Sequence, residues 1–204
     1  VGGTATSHKF NLKTPLDTDA AFRLSFIGGW THSANGALPN GTNAHADSFL
    51  TPSTDLTADS HISIYLNTLS TGDSHRYSIS SYNGESQAIA IRTFGLDNDS
   101  RTYNYSQLNV ANTSANSSGF WLVNIISANH RQLRNNVLRG STAKLGTSPT
   151  AKVFLGALSL NNSPSNYSSQ GIGTATLGDN LTSTEEGNLY TAVQAFQTTL
   201  SRNV

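Results

Sequence analysis

Only one segment of this chain has the periodicity of a helix, and it lies near the C-terminal end. Its apolar residues recur at spacings of three and four: Leu189, Val193, Phe196 and Leu200. Thr182 with Glu185, or Ser183 with Glu186, has the spacing of a capping box, in which the hydroxyl and the carboxylate bind free amides of the first turn. The pattern predicts one helix over about 183–202, with its apolar stripe against the outside of a sheet or against a preceding part of a longer protein.

The rest of the chain alternates apolar and polar residues over short segments that are separated by turn signals, as half-buried strands do. We expect strands in the segments with this alternation, which are 20–27, 61–66, 76–80, 87–92, 102–105, 151–157 and 173–177. Residues 120–126 are apolar on both faces, which is typical of a central strand covered on both sides. Ten to thirteen strands and one helix predict an all-β fold of two packed antiparallel sheets.

Turn signals between these segments suggest how the strands connect. The Asn135-Asn136 pair tolerates positive φ and predicts a tight hairpin turn. The segments 61–66, 76–80 and 87–92 are separated by Thr-Gly-Asp at 71–73 and by Asn-Gly, so they fit three consecutive antiparallel strands. Residues 109–118 form a polar run that we expect to be a surface loop. Residues 30–56 show little periodicity, so we expect a long excursion with at most one short strand near 46–50. Long connections of this kind are often functional.

The composition excludes several classes of partner. Charged residues make up only 12% of 204 residues, with twelve of each sign, and there is neither a basic stripe for nucleic acid nor a basic amphipathic helix for a membrane surface. No apolar run approaches the length of a membrane span. The chain contains no Met, so we expect one domain, 1–204, that forms the C-terminal part of a longer polypeptide.

Motifs for metal binding and catalysis are weak. The six His residues lack metal-ligand spacing, while Asp97 and Asp99 resemble part of a calcium loop or, more simply, an Asx turn. No carboxylate pair or serine elbow suggests a hydrolase. One cluster of residues on neighbouring predicted strands could imitate a polysaccharide lyase or could consist of exposed strand residues: Arg76, Tyr77, Gln87 and Arg92.

Carbohydrate binding requires less: an exposed aromatic ring that stacks on a sugar, and amide or carboxylate groups that bind its hydroxyls. The long segment after Gly29 offers this chemistry in one set of candidate ligand-binding residues: Trp30, His32, Asn35, Asn43 and Asp47. Trp30 has a second interpretation, as a core residue that plugs the end of the first strand.

Two resemblances to known families follow from particular segments. Two segments resemble landmarks of concanavalin A-like, laminin-G-like jelly rolls. The first is strand 173–177 followed by the run Gly-Asp-Asn-Leu-Thr-Ser-Thr-Glu-Glu. The second is hairpin 134–138 followed by 153–156, although Asn136 replaces the usual Gly of the turn. Segments 1–12, 28–33 and 189–200 are similar to C-terminal domains of bacteriophage virion proteins and of related Bacteroidetes proteins. These resemblances imply a concanavalin A-like jelly-roll sandwich with one C-terminal α-helix, exposed on a virion surface or otherwise extracellular. They assign no ligand.

The sequence therefore supports three functional hypotheses. The first is a non-catalytic spike or tail module that recognises glycans of a bacterial surface. We expect this module to be a homo-oligomer in contact with other virion proteins, and to have no resident cofactor other than an optional Ca²⁺. The second is a purely structural or oligomerising virion component. The third is a polysaccharide lyase or hydrolase.

Overall fold

The computed structural model describes residues 3–68, 75–93, 99–111 and 117–204, and these fold into two packed, almost entirely antiparallel β-sheets. The front sheet comprises β1 (Ser25–Ile27), β4 (His45–Asp47), β6 (Ile79–Gly84), β7 (Gln87–Arg92), β8 (Asp99–Asn104), β9 (Gln107–Ala111), β13 (Phe154–Leu155), β14 (Leu158–Leu160) and β15 (Ser163–Ser165). The back sheet comprises β2 (Trp30–Ser33), β3 (Gly36–Pro39), β5 (Ser60–Leu66), β10 (Gly119–Ile126), β11 (Asn129–Arg134), β12 (Val137–Ala143) and β16 (Ile172–Asp179). The helices are α1 (Ala5–His8), α2 (Pro52–Asp55) and α3 (Ser183–Thr199).

The strand order explains where the core lies. The front sheet runs β1-β4-β13-β6-β7-β8-β9, and the back sheet runs β12-β11-β10-β5-β16-β3-β2. Alternate residues of both sheets fill the space between them, among them Ile64 on β5, Ile89 on β7 and Trp121 on β10. The predicted all-β jelly-roll sandwich with a C-terminal helix is confirmed.

Strand β10 is covered on both sides, as its sequence predicts. Trp121 and Val123 point into the core between the sheets, whereas Phe120 and Leu122 lie on the outer face of the back sheet and pack with Val193 of α3. The hairpin turn after β11 is also as predicted, because Asn135 and Asn136 have φ of 48° and 63°. Helix α3 therefore covers the outer face of the back sheet.

Helix α3 begins where its capping box predicts, and the predicted apolar stripe faces the sheet only in part. Thr182 Oγ1 accepts from the Glu185 amide at 3.3 Å, and the Glu185 carboxylate accepts from the Thr182 amide at 2.8 Å. The buried positions are Glu186, Val193 and Gln197, and the helix ends at Thr199 rather than near residue 202. Of the predicted stripe, Val193 is buried, whereas Leu189, Phe196 and Leu200 are half-buried, since the sheet supplies polar partners for Glu186.

The cap of α3 gives a first testable prediction. Thr182→Ala removes the hydroxyl that satisfies the Glu185 amide, and we expect a loss of about 1 kcal/mol in the free energy of unfolding, measured by urea denaturation. Ser183→Ala, one residue into the helix, is the matched control and should change stability much less. Equal losses in both variants would mean that Thr182 does not cap the helix.

Four expectations about the strands were wrong. Residues 30–56 are not a structureless excursion, because they contain β2, β3, β4 and α2. The strand expected at 20–27 begins only at Ser25, since Phe22 has a left-handed φ of 54°. Strand β5 belongs to the back sheet while β6 and β7 pair in the front sheet, so the three are not consecutive neighbours.

The fourth concerns the surface loop expected at 109–118, because residues 109–111 belong to β9. Residues 112–116 of that loop and the turn at 71–73 lie outside the described residues.

Candidate functional site

The outer face of the front sheet presents tyrosine and polar side chains. We call Tyr77, Tyr82, Arg101, Tyr103 and Gln107 together the tyrosine face. Tyr77, Tyr82 and Tyr103 belong to a separate cluster on this side, together with small residues of β7.

Strand β7 makes room for the rings. Ala88 is paired with Tyr82 of β6, and Ala90 is paired with Tyr103 of β8. Residues that are paired across neighbouring strands share a face of the sheet, so the two tyrosines flank β7 on its outer side. Alanine methyls leave space above β7, and the Tyr82 and Tyr103 rings meet there. The site is thus built by small residues in the strand between the two aromatic ones.

The rings are held in fixed mutual geometry. Tyr82 and Tyr103 are edge-to-face, with ring centroids 5.3 Å apart and an interplanar angle of 90°, and Tyr77 lies 6.5 Å from Tyr103. The Tyr103 hydroxyl donates to Gln107 Oε1 at 3.0 Å. Tyr77 and Tyr103 are only 6% and 2% exposed, whereas Tyr82 is half-buried. Tyr82 is therefore the ring available for contact, and the other two support it.

The phenol groups of Tyr77 and Tyr82 stay protonated at neutral pH. Burial raises the pKa of Tyr82 to about 12, and the neighbouring Tyr103 and Glu85 reinforce the effect because additional negative charge would be repelled. Burial together with Tyr103 also raises the pKa of Tyr77. Protonated phenols can donate hydrogen bonds to a ligand, but they cannot act as bases.

Two arginines and an aspartate border the tyrosine face. Arg92 of β7 is directly opposite Arg101 of β8. The two positive side chains would repel each other unless an anion lay between them. Asp99 supplies this anion: its Oδ1 is 2.5 Å from Arg92 Nη2, and its Oδ2 is 3.8 Å from Arg101 Nη2. Arg92 is 1% exposed and also contacts His75 Nδ1.

Arg101 has donor capacity that the described residues do not use. Its side chain is 24% exposed, and its buried Nε atom has no hydrogen-bond partner within the described residues. A buried donor without a partner costs about 1–3 kcal/mol. A ligand oxygen near Tyr82 and Tyr103 would satisfy this N–H group.

The structure also locates the weak metal candidates. Asp99 is engaged by two arginines, and Asp97 lies outside the described residues. Among the described residues, no group of three or more His, Asp or Glu could hold a metal ion. None of the described helices has the length and apolar character needed to cross a membrane.

Of the candidates on β2, Trp30 and His32 lie together. Their rings are stacked at 28°, with centroids 6.3 Å apart. The Trp30 indole N–H donates to the carbonyl oxygens of Ile27 and His45 at 3.1 Å, and the ring packs against the core between the sheets. His32 Nδ1 lies 2.9 Å from His8 Nδ1, and burial lowers the pKa of His32.

The other candidates lie in separate surroundings. Asn43 Oδ1 accepts hydrogen bonds from the Gly29 amide at 3.1 Å and from Asn40 Nδ2 at 2.8 Å. Asp47 pairs with Lys152 at 3.1 Å, and Asn35 lines a small hollow beside the C-terminal residues. No hydrogen bond or ion pair within the described residues joins Asn35, Asn43 or Asp47 to the side chain of Trp30 or His32.

Sequence reasoning did not assemble the tyrosine face. It named Tyr77 and Arg92 in a lyase-like cluster and suggested exposed strand residues as the simpler explanation, but Arg92 is almost fully buried. Gln87 bonds Thr147 at 3.3 Å, and Arg76 bonds the Tyr167 carbonyl at 3.4 Å. The signal that could have located the face is the Ala-x-Ala pattern of β7 between two tyrosine-bearing strands.

No protein-family model and no curated protein matches this sequence. Solved structures do resemble it. Domain 4 of AbnA, an extracellular GH43 arabinanase from Geobacillus stearothermophilus in complex with arabinotriose, has a TM-score of 0.55 at 13% identity, over 82% of this chain and 81% of that one. The Ruminococcus gnavus sialidase module CBM40, bound to α2,3 sialyllactose, has a TM-score of 0.52 at 12% identity, over 66% and 83%. At these identities the likeness shows the jelly-roll fold shared with carbohydrate-binding modules.

Proposed function

We propose that this chain is a non-catalytic carbohydrate-binding module that binds glycans on the tyrosine face. The observation that carries the proposal is the half-buried Tyr82 ring, held edge-on by Tyr103 and bordered by the partly exposed side chain of Arg101. Protein sites for sugars combine an aromatic surface with a few placed polar groups. The outer face of the front sheet has both.

Each residue has a distinct role in the proposed complex. Tyr82 stacks on the apolar face of a sugar ring, and Tyr103 fixes the angle of the Tyr82 ring. Arg101 donates to hydroxyl or ring oxygens, and Gln107 offers its amide group. Because the supporting rings are already packed, little side-chain entropy is lost on binding.

The same geometry supports binding over catalysis. The raised pKa values of Tyr77 and Tyr82 keep these phenols protonated, so that neither serves as a base for a lyase at neutral pH. Asp99, the carboxylate beside Arg92 and Arg101, is engaged by both arginines. The structural neighbours include non-catalytic modules of glycoside hydrolases.

The resemblance to phage virion domains supports a particular setting for this module. We propose that it stands on a spike or tail and contacts glycans of a bacterial surface, as one copy in a homo-oligomer anchored to other virion proteins. Weak sites act together in such an assembly, because binding of one copy raises the effective concentration of the next. The ligand-binding set of Trp30, His32, Asn35, Asn43 and Asp47 remains a second proposed location for the site.

A glycan array tests the proposed function. Multimerised protein is applied to bacterial surface glycans, with arabinotriose and α2,3 sialyllactose included, and affinities are measured by calorimetry. We expect Tyr82→Ala to weaken binding roughly tenfold, since loss of a stacked aromatic costs on the order of 1 kcal/mol. Tyr82→Phe keeps the ring and should retain most of the affinity.

A remote control completes the experiment. Leu145→Ala alters an exposed residue on a separate loop and should bind like the unmodified protein. The proposal fails if the multimer binds no glycan, which would favour a purely structural role. It also fails if folded Tyr82→Ala binds as tightly as the unmodified protein. If Trp30→Ala alone lost about tenfold in affinity while Tyr82→Ala lost none, the site would lie on β2.

A further inference from the structure

We infer a second ligand site, on the opposite side of the sandwich from the tyrosine face, for an uncharged saccharide unit. It is an open hollow of about 510 Å³ between α3, the β11–β12 turn and the C-terminal residues. We call it the amide hollow, and its polar lining residues are Asn135, Tyr190, Thr191, Gln194, Thr198 and Asn203. This inference does not rest on the function proposed for the front sheet.

The walls of the amide hollow are fixed by the fold. Tyr190, Gln194 and Thr198 lie at helical spacing of four along α3 and form one wall. The opposite wall is Asn135, whose left-handed backbone makes the hairpin turn and whose Oδ1 accepts from the Phe120 amide at 2.9 Å.

The C-terminal residues are also tied in place. The Tyr65 hydroxyl donates to Asn203 Oδ1 and accepts from the Val204 amide, each at 2.9 Å. These two bonds hold the chain end against the back sheet, beside α3. A ligand would thus meet a preformed surface, which lowers the entropic cost of binding.

An unpartnered acceptor points to a ligand rather than to a mere surface depression. Gln194 lines the hollow, and its buried Oε1 atom has no hydrogen-bond partner among the described residues. A buried carbonyl without a partner destabilises the fold. Rotation of the Gln194 side chain toward the hollow would let a ligand O–H or N–H group bind Oε1 and remove this cost.

The lining selects the class of ligand. Its side chains supply carboxamides, hydroxyls and one aromatic ring at Tyr190, and none of these side chains is charged. Such a surface offers several donors and acceptors to a neutral polyhydroxyl compound but no cationic side chain that would pair with a phosphate or a carboxylate. The volume falls within the range of small-ligand pockets, which suits one or two sugar rings.

A titration followed by amide NMR tests the inference. The probes are N-acetylglucosamine, its β1,4-linked dimer, and glucuronate as the charged counterpart. We expect saturable shifts for the backbone of Tyr190 and Thr191 and for the side-chain amides of Gln194 and Asn203 with the two neutral probes, and weaker shifts with glucuronate. Gln194→Met removes the acceptor at similar size and should weaken binding about tenfold.

The control is Asn188→Met, an exposed substitution on the same helix outside the lining, which should leave the titration unchanged. Absence of saturable shifts with both neutral probes would overturn the inference and leave ordered water as the partner of Gln194. Equal affinity in Gln194→Met would overturn it as well. Because Gln194→Met leaves the tyrosine face intact, array binding should persist in this variant, and the two proposals fail independently.

Discussion

Glu186→Ala is expected to cost about 3 kcal/mol in the free energy of unfolding and to loosen α3 from the back sheet. Glu186 is 2% exposed, and its Oε1 accepts from Asn124 Nδ2 at 2.9 Å. Arg131 binds the same carboxylate through two bonds, with Nε at 3.3 Å from Oε1 and Nη2 at 3.1 Å from Oε2. Alanine would remove both bonds of Arg131 and one bond of the fully buried Asn124, whose side chain keeps its two bonds to the Leu181 backbone.

Urea denaturation followed by circular dichroism measures this loss. Glu186→Gln retains an acceptor for Asn124 and should lie between alanine and the unmodified protein. Glu185→Ala, the adjacent exposed cap carboxylate, is the matched control and should cost much less. A loss below about 1 kcal/mol for Glu186→Ala would show that the ion pair does not anchor α3.

Stability is expected to fall as the pH drops from about 6.5 to about 4, mainly because of His130. This side chain is fully buried between the sheets, where Nδ1 donates to the Ser106 carbonyl at 3.1 Å and Nε2 lies 3.0 Å from Thr102 Oγ1. Burial lowers the pKa of His130 to about 4, although the bond to Ser106 opposes the shift.

The direction of the effect follows from proton binding. In the unfolded chain His130 titrates near its ordinary pKa of 6.5, so between about pH 6.5 and pH 4 the unfolded state binds more protons than the folded state. The stabilising contribution is complete above about pH 6.5 and is lost as the pH falls, by about 3 kcal/mol in total. Burial likewise lowers the pKa of His8 to about 4, which adds in the same direction.

Denaturation curves at about pH 7 and about pH 4.5 test this dependence. His130→Gln offers an amide that can bond Ser106 and Thr102 without titrating, and its stability should change less with pH. His8→Asn is the control for the contribution of the N-terminal segment. Identical pH dependence in the unmodified protein and His130→Gln would contradict the assignment.

The parts of the fold that the sequence predicts are those set by local patterns. The capping box of α3, the two-sided apolar run of β10 and the Asn135-Asn136 turn each depend on residues close in sequence. Strands β2 and β3 were missed because four residues carry too little alternation to recognise. The stripe of α3 was predicted only in part, because Val193 is buried as expected but Glu186 is also buried, by partners on distant strands.

The candidate site could not be predicted for a related reason. Tyr82 and Tyr103 meet only because β6, β7 and β8 pair in one register and because Ala88 and Ala90 leave space between them. Neither condition is visible in the local sequence of either tyrosine. By contrast, Trp30 was recognised as an aromatic candidate from its loop-like surroundings, and the structure shows its ring packed against the core.

NMR of protein with ¹³C-labelled tyrosine rings gives the most direct test of glycan binding on the tyrosine face. The chain has seven tyrosines, and each signal can be assigned by single Tyr→Phe substitution. On titration with the tightest-binding array glycan, the ring signals of Tyr82 and Tyr103 should shift saturably, while that of the buried Tyr105 should not. Saturable glycan binding that leaves Tyr82 and Tyr103 unshifted would contradict the proposed site.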